Sequence, residues 1–277
     1  MTLVKRALLI APVLFSCVPV SLMLPILRFH VALFGSSPFL SMLQKRSRPF
    51  NNREGLIIKQ WIQDWDAKFR GGYTPWEDDE PSEIMEDLFR THIPEGSTIF
   101  EIGCGLGVNA MRLASMGYDV TATDVSPEAV RITLESARRN ALPLTCGRFD
   151  VENDDAPERK YDVVFDKGCL HSFATHEGRL NFARKVHDIL NPAGLWINIS
   201  GSADNDDDPA EVEKFGYPRL TLSQLAEAVE TYFEVVEIKR CWYGKLPSTS
   251  FKAWASVMQK RAIKFKGLIN GILQPQS

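Results

Sequence analysis

Apolar residues are distributed differently in the two parts of this chain. From Ala7 to Leu27 no residue is charged, and Leu, Ile, Val, Phe and Met dominate. That run is just long enough for a helix to cross a bilayer core, which takes roughly 20 residues. Pro12, Pro19 and Pro25 interrupt it, each removing a backbone donor. From about residue 55 onward, short apolar runs alternate with stripes of helical period, the signature of parallel βαβ units. Ile99, Phe100 and Ile102 read as a strand, and Val108, Met111, Leu113 and Ala114 as a helical stripe closing near Gly117. A second strand runs from Tyr118 to Thr123. Ser126 then caps a helix with Pro127 at its first position and Val130, Leu134 and Ala137 on one face.

The pattern continues with strands at Leu144 to Phe149 and Tyr161 to Phe165, and a helix from His176 to Leu190. Asn191-Pro192-Ala193-Gly194 breaks the chain before a strand from Leu195 to Ser200. Asp204 to Pro209 reads as an acidic exposed loop. Leu222 to Val229 reads as a helix opened by Thr221 or Ser223, and Phe233 to Trp242 and Phe251 to Gln259 as the last two strands. Residues 261–277 form a basic amphipathic tail, read as a terminal helix or a contact with anionic lipid.

Composition adds bounds. The chain has 277 residues, 44% hydrophobic and 24% charged, which suits one α/β domain at 55–260 plus a hydrophobic segment at 1–50. A net charge of -3 gives no general pull toward nucleic acid. Cys17, Cys104, Cys146, Cys169 and Cys241 are odd in number and lack a C-x-x-C pair, so no metal site is expected and a reducing compartment fits. More cations follow the apolar run (Arg28, Lys45, Arg46, Arg48, Arg53) than precede it (Lys5, Arg6). That bias favours a membrane-associated chain whose following domain stays in the cytoplasm. A cleaved signal peptide, a lipoprotein box at Leu14 to Cys17, and a soluble cytoplasmic protein with this segment packed on its core are the alternatives.

Candidate chemistry concentrates at Phe100-Glu101-Ile102-Gly103-Cys104-Gly105-Leu106-Gly107. Three glycines at alternate positions let the backbone turn sharply and approach a ligand that a Cβ would block. Asp124, 17 residues beyond Gly107, closes the second strand, where an acid can accept both hydroxyls of a ribose. Together they point to an adenosine-containing cofactor.

The wording E-I-G-C-G-x-G resembles motif I of class I S-adenosylmethionine-dependent methyltransferases, and other marks of that family follow in order. These are Thr123-Asp124-Val125-Ser126, Phe149-Asp150-Val151, and Tyr161 to Asp166. The resemblance implies an α/β, Rossmann-like, seven-stranded, mostly parallel sheet with one antiparallel strand. It implies S-adenosyl-L-methionine as cofactor, held by Glu101, Gly103, Gly105, Gly107, Asp124 and Val125, with Asp150 and Val151 at the adenine and Lys167 as a further contact.

A second stretch, from Trp65 through Phe69, Thr74, Pro75 and Trp76 to Glu77, resembles the N-terminal signature of thiol and halide methyltransferases and the related thiopurine enzymes. That likeness implies that Trp65, Phe69 and Trp76 cover the cofactor, as aromatic faces suit a sulfonium. Asp166 and His171, in Asp166-Lys167-Gly168-Cys169-Leu170-His171, are the candidates for the chemical step, His171 accepting a proton or orienting a nucleophile. No D/N-P-P-Y/F motif follows the fourth strand, which disfavours amino methylation of adenine or glutamine. The expected acceptor is therefore a small soft nucleophile such as a thiol. An O- or N-methyltransferase of a lipophilic molecule such as a quinone precursor, and an inactive cofactor-binding assembly protein, are the rivals.

Overall fold

The computed structural model describes residues 64–78, 80–204, 219–244 and 251–262, together with the backbone of 265–269 and 272–275. Every described residue lies in one unit, residues 62–277. The apolar run at 7–27 and all but Asp204 of the acidic stretch 204–209 lie outside the described residues. Among the described residues, no helix is long and apolar enough to cross a membrane.

A short helix α1 (Trp65–Arg70) and α2 (Glu83–His92) precede the sheet. Then follow β1 (Thr98–Ile102), α3 (Val108–Ser115), β2 (Asp119–Asp124), α4 (Pro127–Arg139), β3 (Leu144–Arg148) and β4 (Tyr161–Lys167). A 3-10 turn at Leu170–Ser172 leads to α5 (His176–Ile189), β5 (Leu190–Gly201), α6 (Leu222–Val229), β6 (Phe233–Trp242) and β7 (Lys252–Lys260). The seven strands lie in the order β3-β2-β1-β4-β5-β7-β6, parallel except for β7, which runs antiparallel to both neighbours. This is the expected mostly parallel sheet with one antiparallel strand.

Strand residues alternate between two apolar layers, as the pleat requires. Ile99, Val163, Phe165, Ile197 and Ile199 pack with Met85, Leu88, Phe89 and Leu113 on one face. Phe100, Ile102, Val164 and Trp196 pack with Phe182, Val186, Leu225 and Val229 on the other. Fully burying each large side chain of this kind stabilises the fold by about 1.5–3 kcal/mol. Chain order reverses between β1 and β4, so a crevice opens at the carboxyl ends of those strands, where open α/β sheets hold their ligands.

Local chemistry explains the element starts. Ser126 accepts the Ala129 N–H at 3.1 Å with Pro127 at the first helical position, and Thr221 with Gln224 completes a capping box on α6. Two readings need correction. The break at Asn191 to Gly194 does not end pairing: β5 already pairs at Leu190, and the register resumes at Leu195 after an excursion in which Ala193 has φ 60°. The tail read as a helix forms a two-stranded hairpin, β8 (Phe265–Ile269) and β9 (Ile272–Pro275), with Ile269 paired to Ile272. Asn270-Gly271, between these strands in sequence, is a dipeptide that favours hairpins.

Candidate active site

The centre of the site is the turn between β1 and α3. Gly103 and Gly105 sit at φ 72° and 55°, which other residues rarely adopt. Space is short there as well: a Cβ on Gly103 would displace the Cys169 thiol, and one on Gly105 the Glu77 carboxylate. Gly107, φ 78°, starts α3. Asp124 buckles this turn to the end of β2. Its two oxygens accept the Gly105 N–H at 3.0 Å and the Ser126 N–H at 2.9 Å, and burial raises its carboxyl above the ordinary range.

Glu101 lies beside the turn, 2% exposed, and its Oε2 is buried without a hydrogen-bond partner in the structure. Burial, reinforced by the nearby Glu77 charge, pushes it up to about 8. A buried acceptor left open costs about 1–3 kcal/mol, so a donor-bearing ligand is the natural complement of this oxygen.

Residues 64–78 form a strap over the turn. Asp66 accepts the Ser126 hydroxyl at 2.7 Å and the Glu128 N–H at 3.0 Å, fixing α1 to the start of α4. Trp76 meets Trp65, Phe69 and Tyr73 edge-on, with ring centres 5.1, 5.9 and 6.5 Å apart, and the Lys68 ammonium lies 4.3 Å from the Trp65 ring centre. The three aromatics expected to act together are therefore assembled together. Beyond them Glu77 accepts the Leu106 N–H, and burial pushes its carboxyl up to about 7. Asp78 pairs with Lys167 at 2.9 Å, both side chains under 10% exposed.

Val125 is exposed at the end of β2. Asp150, after β3, accepts from Glu152 N–H, Asn153 N–H and the Asn153 amide. Burial raises its carboxyl, but these bonds outweigh that and hold it below the ordinary value. Val151 packs against the apolar layer that holds Phe100 and Trp196.

On the other side of the crevice, Asp166 ends β4 with its carboxylate fully buried. Trp196 Nε1 donates to it at 2.8 Å, Asn198 Nδ2 at 3.0 and 3.1 Å, Leu170 N–H at 3.1 Å and Cys169 N–H at 3.3 Å. Burial still pushes it up to about 6. Such a saturated group ties the 3-10 turn to β5 and offers little to a substrate. The geometry thus corrects its reading as a group for the chemical step to one of positioning.

His171 is 3% exposed, and its Nδ1 accepts the Gly201 N–H at 2.7 Å. That bond assigns the ring proton to Nε2. Burial, with the charges of Arg219 and Lys167, pushes its pKa down to about 4, so the ring is neutral and presents a donor. Of the two roles read for it, orienting a nucleophile fits this state and accepting a proton at Nε2 does not.

Residues the sequence did not single out complete this side. The Tyr243 hydroxyl occupies the space a Cβ on Gly168 would need, and the Tyr243 ring stacks on Phe251 at 4.5 Å and 11°. Arg219 lies 4.6 Å from the Phe251 ring centre, and Lys167 4.5 Å from that of Tyr243. Tyr243-Gly244 after an exposed Trp242 was the one local sign of them, and it resembles any strand end.

Residues 99–194 match a methyltransferase-domain family model. That match covers about a third of the chain, and the described core has the fold of class I S-adenosylmethionine-dependent methyltransferases. A probable thiol methyltransferase 2 of Arabidopsis thaliana is 25% identical over 60% of this chain and 74% of its own length. A ubiquinone biosynthesis O-methyltransferase of Cereibacter sphaeroides is 25% identical over 42% of this chain and 46% of its own length. The chain spans about half the length of several curated relatives it matches, and 21% of one. Among solved structures, Burkholderia thailandensis 1,6-didemethyltoxoflavin-N1-methyltransferase with bound S-adenosylhomocysteine shares the fold, with a TM-score of 0.59, 19% identity, and coverage of 78% of this chain and 93% of that one. The methyltransferase domain takes S-adenosylmethionine as its cofactor, and the glycine cradle and the open oxygen of Glu101 suit its α-ammonium-bearing end.

Proposed function

We propose that the protein transfers a methyl group to a small soft nucleophile, most directly a thiol. The bound cofactor supplies an electrophilic methyl on sulfur, and the acceptor sulfur bonds to it as the old carbon–sulfur bond breaks and its proton leaves to solvent. One-step displacement asks the protein for alignment and exclusion of water rather than for a strong base. The neutral, donor-bearing His171 beside Tyr243 and Phe251 carries this reading, because it suits a nucleophile that ionises by itself. A thiol with a pKa of about 8.5 does so near neutral pH. Likeness to the Arabidopsis thiol methyltransferase supports it as well.

In this reading Gly103, Gly105, Gly107, Glu101, Asp124 and Val125 hold the methionine and ribose portions, with Asp150 and Val151 at the adenine. Trp65, Phe69 and Trp76 cover the cofactor, Lys167 holds the strap through Asp78, and His171 donates to the acceptor atom. Asp166 fixes the turn that carries His171.

A phenolic acceptor is the second reading. The stacked Tyr243 and Phe251 suit an aromatic ring, and the quinone-pathway O-methyltransferase relative supports it. The apolar run 7–27 would bring such a domain to a membrane face. A panel of thiols, halides and phenols, offered with labelled S-adenosylmethionine, separates the readings: thiol products support the first, and label confined to phenols overturns it.

A further inference from the structure

The cofactor side of the crevice holds three carboxylates within reach of one another's charge. Glu101 comes from β1, Asp124 from β2 and Glu77 from the strap. Asp124 spends its oxygens on the glycine turn. Glu101 keeps one buried oxygen open. Glu77 is placed tightly enough over Gly105 that no Cβ would fit between them. Methyl transfer changes the charge of the cofactor: the methyl donor carries a sulfonium, whereas the demethylated product is an uncharged thioether at that atom. Everything else in the two molecules is the same.

We infer that Glu77, set by the strap onto the glycine turn beside Glu101, makes this site prefer the positively charged methyl donor over its uncharged product. The inference rests on the cofactor reading above and adds to it a means of releasing product. A carboxylate in a poorly solvated crevice attracts a cation far more strongly than it would in water. Once the sulfonium is consumed, the same carboxylate has lost its partner and is left buried beside two others.

The charged neighbours of Glu77 among the described residues are consistent with this. Lys167, from β4, is a cation that acts on Glu77, but Asp78 engages it at 2.9 Å. Asp124, from β2, is of like sign, and Glu101, from β1, pushed up to about 8, largely keeps its proton at neutral pH. The Leu106 N–H and Trp76 supply hydrogen bonds, while Tyr243 and Cys169, the other titratable groups coupled to Glu77, are held neutral by burial. Burial leaves Glu77 titrating near 7, so its charge is switched on over the physiological range.

The test is calorimetric, with the full chain, using S-adenosylmethionine and S-adenosylhomocysteine. Wild-type protein at pH 7.5 should favour the methyl donor, and Glu77→Gln should shrink that preference by about tenfold while changing affinity for the thioether by no more than about twofold. Equal losses for both ligands, or an unchanged preference, would overturn the inference. Should Glu77→Gln fail to fold, wild type alone decides: its preference for the donor should grow from pH 6 to 7.5, and a flat ratio overturns the inference. Wild type that binds neither ligand overturns the cofactor reading itself, an outcome distinct from either of these.

Discussion

The two sides of the crevice are built by opposite means. The cofactor side is acidic and local: Glu101, Gly103, Gly105, Gly107 and Asp124 lie within 24 residues of sequence, and the Asp124 carboxylate ties the Gly105 N–H to the Ser126 N–H. The acceptor side is aromatic and neutral at its centre. It is assembled from β4, β5, β6 and β7, with His171, Arg219, Tyr243 and Phe251 drawn from distant stretches. A constant ligand is met by a motif that a single turn can encode. The proposed acceptor surface instead draws its residues from several separate stretches of chain.

The largest expected effect falls on the cofactor side. Asp124→Ala removes the acceptor of the Gly105 and Ser126 N–H groups and the proposed ribose partner, so cofactor affinity should drop by about 100-fold or more. Isothermal titration measures it, and affinity within threefold of wild type would place the cofactor elsewhere.

Asp166→Ala tests the support beneath the acceptor side. It strips one buried acceptor from Trp196, Asn198, Cys169 and Leu170 together. Chemical denaturation should register a loss of about 3 kcal/mol. A stability change under about 0.5 kcal/mol would mean that the network does not hold the turn.

His171→Gln sharpens the contrast between the two sides. Turnover should fall about tenfold, the scale of one hydrogen bond to the reacting atom, with cofactor affinity unchanged. Because the ring is neutral above about 4, wild-type kcat should show no limb between pH 5 and 6.5 from this group. A limb there that disappears in the variant would restore the histidine to the role of proton acceptor.

The smallest effect is on stability against pH. Glu77 and Glu101 bind protons more tightly folded, near 7 and 8, than unfolded, near 4.5. A raised carboxyl contributes stability that is lost as pH rises through the folded value. The ligand-free Tm should therefore decline by roughly a few degrees from pH 6.5 to 8. Saturating S-adenosylmethionine should flatten that decline, and an equal slope with and without it would detach these carboxylates from the ligand.

How much of this could be read in advance follows the same division. The turn from Gly103 to Gly107, the Ser126-Pro127 helix start and the strand alternation were legible because each depends on neighbours in sequence. Thr74-Pro75-Trp76-Glu77 was visible as a motif, but the reach of Glu77 to Leu106 depends on how the strap crosses the sheet. Tyr243 and Phe251 were not legible: Tyr243 meets the histidine, and Phe251 stacks on Tyr243, because β7 returns antiparallel between β5 and β6, and nothing in their own segments says so. Asp166 was legible as an important acid, but its four donor groups, which decide its role, come from β5 and the 3-10 turn. The tail was misread because its basic, amphipathic character was weighed and its Asn-Gly pair was not.

The account depends on the crevice at the ends of β1, β2 and β4 being shaped for an adenosyl sulfonium. Titrating the full-length protein with S-adenosylmethionine by calorimetry tests that directly. Saturable binding of one molecule per chain, abolished by Gly105→Ala, is the predicted result. Absence of heat and of competition by S-adenosylhomocysteine, or binding indifferent to Gly105→Ala, would contradict it.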